Sequence, residues 1–193
     1  MTEGEPEFLI PREQTRRVFL VEPDPSWAGL GAAEAARVRA ALSGLDVQVH
    51  HVGSTSVPGL AAKPLLDLLL TVPDATDEDS YAPALQAAGY AFHIREADWH
   101  EHRLFKRGTP HFADHHIVRD GVPKVNLHVF PAASDEPGRM LLFRDWLRTH
   151  PEDRELYERA KRDLAGQEWS VVQDYADAKT SVVREILSRA RAG

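Results

Sequence analysis

The chain contains no cysteine, so it forms no disulfide, uses no thiol nucleophile and holds no metal through thiolates. No apolar run approaches the ~20 residues that a membrane span requires, so no membrane partner is expected. The segment Met1 to Arg17 is charged rather than signal-like, which makes the cytoplasm the expected compartment. Positive charge is not in surplus either. The formal net charge is −7, which argues against a large nucleic-acid surface but is compatible with a local basic pocket. Internal repeats and low-complexity tracts are absent. What is present is 193 residues, 42% hydrophobic and 27% charged, the composition of a globular protein with one well-buried core.

Residues 1–17 read as a mobile N-terminal arm and residues 18–193 as a single domain, sheet-rich over 18–130 and helical over 135–193. Val18 to Glu22 is expected as a short strand. Asp24-Pro25 reads as a cap and first helical residue, opening an amphipathic helix that Gly44 stops. Strands are expected over Val47 to Val52, Leu65 to Val72, Tyr90 to Ile94 and Arg103 to Lys106, with a helix over Asp77 to Ala88. Phe112 to Val118 and Val125 to Phe130 flank Arg119-Asp120-Gly121, a hairpin signal. Three helices follow: one from Asp135, one from Pro151 to Gly166, and one over Val172 to Ala190. Strands first and helices later give an α+β class.

The densest chemistry lies between His51 and Asp67. An apolar run enters Gly53-Ser54, a loop of hydroxyl and small residues follows, and Lys63-Pro64 leads into a second apolar run carrying one carboxylate. Glycine lets a backbone approach a ligand closely, and a backbone N–H beside the Ser54 hydroxyl suits phosphate oxygens. Asp67 is the type of group that binds a hard divalent cation. On its strand it shares a face with Leu65 and Leu69, so it needs a partner, either a salt bridge or a bound cation. Asn126 and His128 stand two apart and face one way, while Val125, Leu127 and Val129 face the core. Arg103 shares a strand face with Phe105 and is suited to a bidentate phosphate clamp. Lys63 lies in a loop, and Lys161 and Lys179 lie on helices, where a lone lysine is ordinarily a solvated charge. His100 and His102 share a face if extended, but adjacent histidines point apart and no helical His-Glu-x-x-His occurs, so no dedicated zinc site is expected. Trp99, in a polar loop, is placed for base stacking or for packing at an edge.

The string His51-Val52-Gly53-Ser54-Thr55-Ser56-Val57-Pro58-Gly59-Leu60-Ala61-Ala62-Lys63-Pro64 resembles the GrpB family, a branch of the nucleotidyltransferase superfamily. The likeness runs from about Val18 to Ala190. It includes Val21-Glu22-Pro23-Asp24-Pro25-Ser26-Trp27, Val125-Asn126-Leu127-His128-Val129-Phe130, Leu142-Phe143-Arg144-Asp145-Trp146-Leu147-Arg148 and Tyr175-Ala176-Asp177-Ala178-Lys179. The resemblance implies a nucleotidyltransferase-type mixed β-sheet with helices on one side and a C-terminal helical bundle that walls a cleft. GrpB-like domains also occur joined to dephospho-CoA kinase; no kinase part is expected in this chain.

The ligand implied is a nucleotide or another phosphorylated small molecule. Two readings stay open: Mg²⁺-dependent nucleotidyl transfer to an unknown acceptor, and a catalytically inactive binding or interaction module. In the first, Gly53, Ser54 and Thr55 hold phosphates, and Lys63, Arg103, Lys161 and Lys179 balance their charge. Asp67 holds Mg²⁺, and His128 serves as base or metal ligand. The superfamily pattern expects a second carboxylate two residues after the first, where this chain has Leu69. The place of a third, on a neighbouring strand, falls to His128. Asp114 and Asp177 are the further acids that could complete the set.

Overall fold

Leu66, Leu68 and Leu70 alternate with Asp67, Leu69 and Thr71, and this alternation decides which side of the sheet each residue meets. The computed structural model describes residues 6–10, 18–108, 116–169 and 172–192. Most of the 1–17 segment, Phe112 to His115 of one expected strand, and Asp114 lie outside the described residues.

Six strands form one mixed sheet: β1 (Glu7–Phe8), β2 (Gln48–Val52), β3 (Leu66–Val72), β4 (Ala91–Glu96), β5 (His102–Arg107) and, later in the chain, β8 (Val125–Pro131). Their order is β1-β4-β5-β8-β3-β2. β3 and β8 run parallel, with Asp67 opposite Asn126 and Leu69 opposite His128; the other pairings are antiparallel. Two further strands, β6 (Val118–Arg119) and β7 (Val122–Pro123), make a separate two-residue ladder. Asp120 and Gly121 between them both have positive φ, the twist a two-residue hairpin demands. The hairpin signal was therefore real, but Val125 onward belongs to the main sheet, between β3 and β5.

Helices α1 (Ser26–Ala41) and α2 (Ala82–Ala87) cover one face. There Ala35, Val38, Leu42, Tyr81 and Leu85 pack on Leu66, Leu68, Leu70, Phe105, Leu127 and Val129. The C-terminal helices α3 (Glu136–Thr149), α4 (Pro151–Ala165), α5 (Val172–Ala178) and α6 (Thr180–Ala190) form a bundle against the other face and its Gly53 end. Val57 and Leu60 pack there with Leu147, Tyr157 and Ile186. Val52, Leu69 and Phe130 pack with Met140 and Leu141. The α+β class, the mixed sheet and the C-terminal bundle are as expected.

Three expected elements differ. The strand over Val18 to Glu22 is a single bridge, Val21 to Ala62. The helix over Asp77 to Ala88 is a 3-10 turn (Glu78–Ser80) followed by α2, because Pro83 has no N–H to give the carbonyl one turn earlier. The third C-terminal helix breaks at Lys179 into α5 and α6.

Candidate phosphate and metal site

β2 ends against Gly53, whose φ of 68° and ψ of −174° turn the chain sharply. A Cβ there would lie 2.9 Å from Asp67 Cβ, so this left-handed glycine also permits the close approach of the turn to β3. Ser54–Ser56 then form one 3-10 turn. The loop that follows is fastened from the C-terminal bundle. Arg144 Nη1 donates to the His51 carbonyl (3.1 Å), and Arg148 donates through Nε and Nη2 to that of Ser56 (3.1 and 2.9 Å). Glu158 accepts the Ala61 N–H (3.2 Å), and Lys161 Nζ donates to the Ala61 carbonyl.

Lys161 Nζ also reaches Ser54 Oγ at 3.2 Å and lies 4.9 Å above the Tyr157 ring. Its side chain is 2% exposed. Burial, then the charge of Lys179, brings its amine down to about 7, with Glu158 pulling the other way. Lys63 and Lys179, both half-buried, flank the Tyr175 ring at 5.7 and 4.5 Å. Burial and the Lys179 charge bring Lys63 down to about 8, against the pull of Asp67; burial also lowers Lys179. The Tyr175 hydroxyl is buried and has no hydrogen-bond partner among the described residues. The Lys63 loop, α4 and the junction of α5 and α6 thus bring three ammonium groups close enough to act on one another, with Lys161 on Ser54.

Asp67 leaves β3 on the face of Leu69 and meets two groups from β8. Asn126 Nδ2 donates to Asp67 Oδ1 at 3.1 Å, and His128 Nε2 lies 3.7 Å from the same oxygen. Burial pushes the Asp67 carboxyl up, but His128, Lys63 and Asn126 outweigh it and hold the carboxyl below its usual value. Behind His128 stand His102, weighed from the sequence only for zinc, and Glu96, not singled out from it. His128 Nδ1 is 3.1 Å from His102 Nε2, and His102 Nδ1 is 2.6 Å from Glu96 Oε2. His102 is shut in by the Phe130 ring (4.7 Å) and the edge of Trp99 (5.2 Å), and burial brings its imidazole down to about 4.

Gly53, Ser54, Lys63, Asp67, His128, Lys161 and Lys179 are therefore brought around one turn. Two expected phosphate ligands are not. Arg103 leaves β5 on the opposite face, 3% exposed, where Nε pairs with Glu78 at 2.5 Å; strand alternation sends it away from His102 and His128. Thr55 is buried, donates to the Leu65 carbonyl (3.2 Å) and is bonded to His51 Nε2 (2.9 Å), so its hydroxyl braces the loop from inside. His100 and His102 do not share a face, because His100 and Glu101 have positive φ and turn the chain between them. Asp177 is exposed on α5.

The donor set does not fit a pair of Mg²⁺ ions. Mg²⁺ takes oxygen ligands in a strict octahedron, and two-ion chemistry needs shared carboxylates. Asp67 is the one carboxylate on its strand face, and Leu69, fully buried with Val52 and Phe130, fills the second position with hydrocarbon. No cluster of three or more His, Asp or Glu placed to hold a metal occurs among the described residues. No helix among them is long and apolar enough to cross a membrane.

The chain is similar to several known proteins. The family described as GrpB protein matches residues 17–189. A UPF0157 protein of Halalkalibacterium halodurans is 50% identical over 91% of this chain and 83% of its own length. A dephospho-CoA kinase of Mycolicibacterium paratuberculosis is 31% identical over 90% of this chain but only 46% of that protein. The crystal structure of the conserved protein GrpB from Enterococcus faecalis matches with a TM-score of 0.68 at 25% identity, over 89% of this chain and 96% of that one.

Proposed function

The chain belongs to the GrpB family, and we propose that it binds a nucleotide or another phosphorylated small molecule at the Gly53-Ser54 turn. One observation carries this reading: Lys63, Lys161 and Lys179 converge from separate elements of a chain whose net charge is −7. Nearby anionic charge comes from Asp67 and from Glu158, and Glu158 already pairs with Arg162. Buried and half-buried ammonium groups close together weaken each other's charge, and a bound polyanion removes that penalty. The Ser54 hydroxyl and the Tyr175 hydroxyl, which has no hydrogen-bond partner among the described residues, add hydrogen-bonding capacity close to these lysines.

Leu69 favours a binding module over a fast transferase. Holding the transferring phosphoryl group between metal ions needs a carboxylate where that leucine packs. The 46% coverage of a dephospho-CoA kinase makes phosphorylated coenzyme A precursors one ligand class to test beside nucleotides.

The test is isothermal titration in EDTA with tripolyphosphate, ATP and dephospho-CoA. At least one should bind the wild type, and Lys179→Met should weaken it at least tenfold. Arg159→Met, an equal charge loss at an exposed position of α4, should leave it unchanged. Silence from all three ligands, or equal losses in both variants, would reject the site.

A further inference from the structure

Ser54 opens a sharp turn, directly after β2 and the left-handed Gly53. A sharp turn out of a strand presents a serine hydroxyl to a substrate. The half-buried Ser54 meets two groups from α4. Lys161 Nζ lies 3.2 Å from Oγ, and the Tyr157 hydroxyl is within hydrogen-bonding reach of the same side chain. Lys161 is fixed from behind. Its Nζ donates to the Ala61 carbonyl, and Glu158, also on α4, holds the Ala61 N–H at 3.2 Å. An ammonium only donates, whereas a free amine keeps two N–H donors and one lone pair. One N–H then serves Ala61, and the lone pair can take the Ser54 proton. Burial and the neighbouring Lys179 bring this amine to about 7, so both forms coexist at neutral pH.

We propose that Ser54 is a nucleophile, that Lys161 is its base, and that the substrate is a mixed anhydride of a carboxylic acid and a phosphate. The Oγ–H proton passes to Lys161 Nζ as Oγ bonds to the acyl carbon. The bond from that carbon to the bridging oxygen breaks, and the phosphate leaves with the electron pair. Lys161 returns the proton to the departing oxygen, and Ser54 remains as an acyl ester. Water then attacks the ester carbonyl and gives one proton to Lys161. Ser54 Oγ is expelled, takes that proton back, and a free carboxylic acid departs. The lysines favour a phosphate as the leaving group. Lys63 and Lys179 stand near enough to act on Lys161 and suit the charge that develops on the departing oxygen. To that extent the inference rests on the phosphate reading. Acyl transfer asks for a nucleophile, a base and cations. It does not ask for the paired carboxylates whose second position Leu69 fills.

The experiment incubates the full chain in EDTA with acetyl phosphate or acetyl adenylate. Acid quenching and peptide mapping by mass spectrometry locate the acetyl group, and release of phosphate or AMP gives the rate. One acetyl group should appear on Ser54, and release should outpace the protein-free reaction. Ser54→Ala should lose both. Lys161→Met should slow labelling about 100-fold or more, with no fall in melting temperature. The wild-type rate should rise with pH to about 7 and then level off, as the amine loses its proton, and Lys161→Met should lack that inflection. A Lys161 that served only by its charge would give a rate that falls over the same range. Labelling spread over surface lysines with none on Ser54, a rate that falls with pH, or an equal rate in Lys161→Met would overturn the proposal. Faster labelling by one of the two anhydrides identifies the leaving phosphate. The phosphate reading is judged separately. Tripolyphosphate binding without Ser54 labelling rejects the nucleophile alone, and Ser54 labelling that tripolyphosphate does not slow rejects the phosphate site alone.

Discussion

Replacing Lys161 by methionine keeps the length of the side chain and removes its charge, and the effect should depend on pH in a defined way. In the unfolded chain the amine holds its proton to near 10.5, and in the folded protein only to about 7. Between those values the unfolded state binds more protons, so stability rises with pH. Integrated from pH 7 to pH 9, this one group contributes a rise of about 2 kcal/mol. Lys63, brought down to about 8, adds a smaller rise of the same sign. His51, His93 and His102, brought down to about 4 by burial, are neutral in the folded protein over this window, and tyrosines ionise above it. Lys179, also lowered by burial, adds to the same rise, and Lys161→Met should remove the largest single part of it. At pH 7 it should also be more stable than the wild type, by roughly 2 kcal/mol. That figure is a relieved desolvation of roughly 4 kcal/mol, offset by about 1–3 kcal/mol for the Ala61 carbonyl left without its donor. Urea unfolding followed by tryptophan fluorescence at pH 7, 8 and 9 reads both effects. A flat wild-type profile, or the same slope in both proteins, would refute a buried, charge-stressed Lys161.

Gly53→Ala should destabilise the protein by about 2–3 kcal/mol, since it meets a left-handed φ and the Asp67 side chain together; calorimetry should show a melting temperature lower by roughly 5–10 °C. A melting temperature within 2 °C of the wild type, on the order of 1 kcal/mol or less, would contradict the close approach. Leu69→Asp should not create a transferase. It places a carboxylate among Val52, Phe130 and Met140, should cost at least about 3 kcal/mol, and should leave pyrophosphate release from nucleoside triphosphates unchanged. A large gain in release at an unchanged melting temperature would show that the leucine, rather than the wider geometry, limits chemistry.

The parts of the site that were legible in the sequence share a physical origin: they are set by local periodicity. Alternation along β3 put Asp67 with Leu69, and along β8 put Asn126 with His128 and against Leu127 and Val129, as read; the parallel register that sets Asp67 opposite Asn126 was not read. Gly53 ahead of Ser54 marked a turn that needs a residue without Cβ, and the structure shows what occupies that space. The misplaced residues were decided by contacts distant in sequence. Arg103 stands next to His102, and only the location of Glu78, on the α2 side of the sheet, shows which of the two faces the site. Thr55 looked like its hydroxyl neighbours until its bond to the Leu65 carbonyl turned it inward. Glu96 was missed, and His102 was weighed only with His100 for zinc, because two left-handed residues, His100 and Glu101, break the alternation from which facing is inferred. A visible signal was the spacing of six between Glu96 and His102 across a tight polar link, the pattern of facing positions on an antiparallel pair.

The fastening of the Gly53–Ala61 loop has a consequence for how the protein is made. Its carbonyls are held by Arg148, 92 residues further along from Ser56, and by Lys161, 100 residues beyond Ala61. A ribosome adding about 5–20 residues per second needs roughly 5–20 s to supply those partners after the loop has emerged. The hairpin of β2 and β3 is local and can pair in that interval, whereas the parallel pairing to β8 and the covering of Val57 and Leu60 by the bundle must wait. A nascent chain therefore carries the Gly53–Ala61 loop uncovered, with the apolar pair Val57 and Leu60 exposed, until α3 to α6 leave the exit tunnel. Codon changes that slow synthesis between residues 131 and 161 should lengthen that exposure and lower the soluble yield without altering a single side chain.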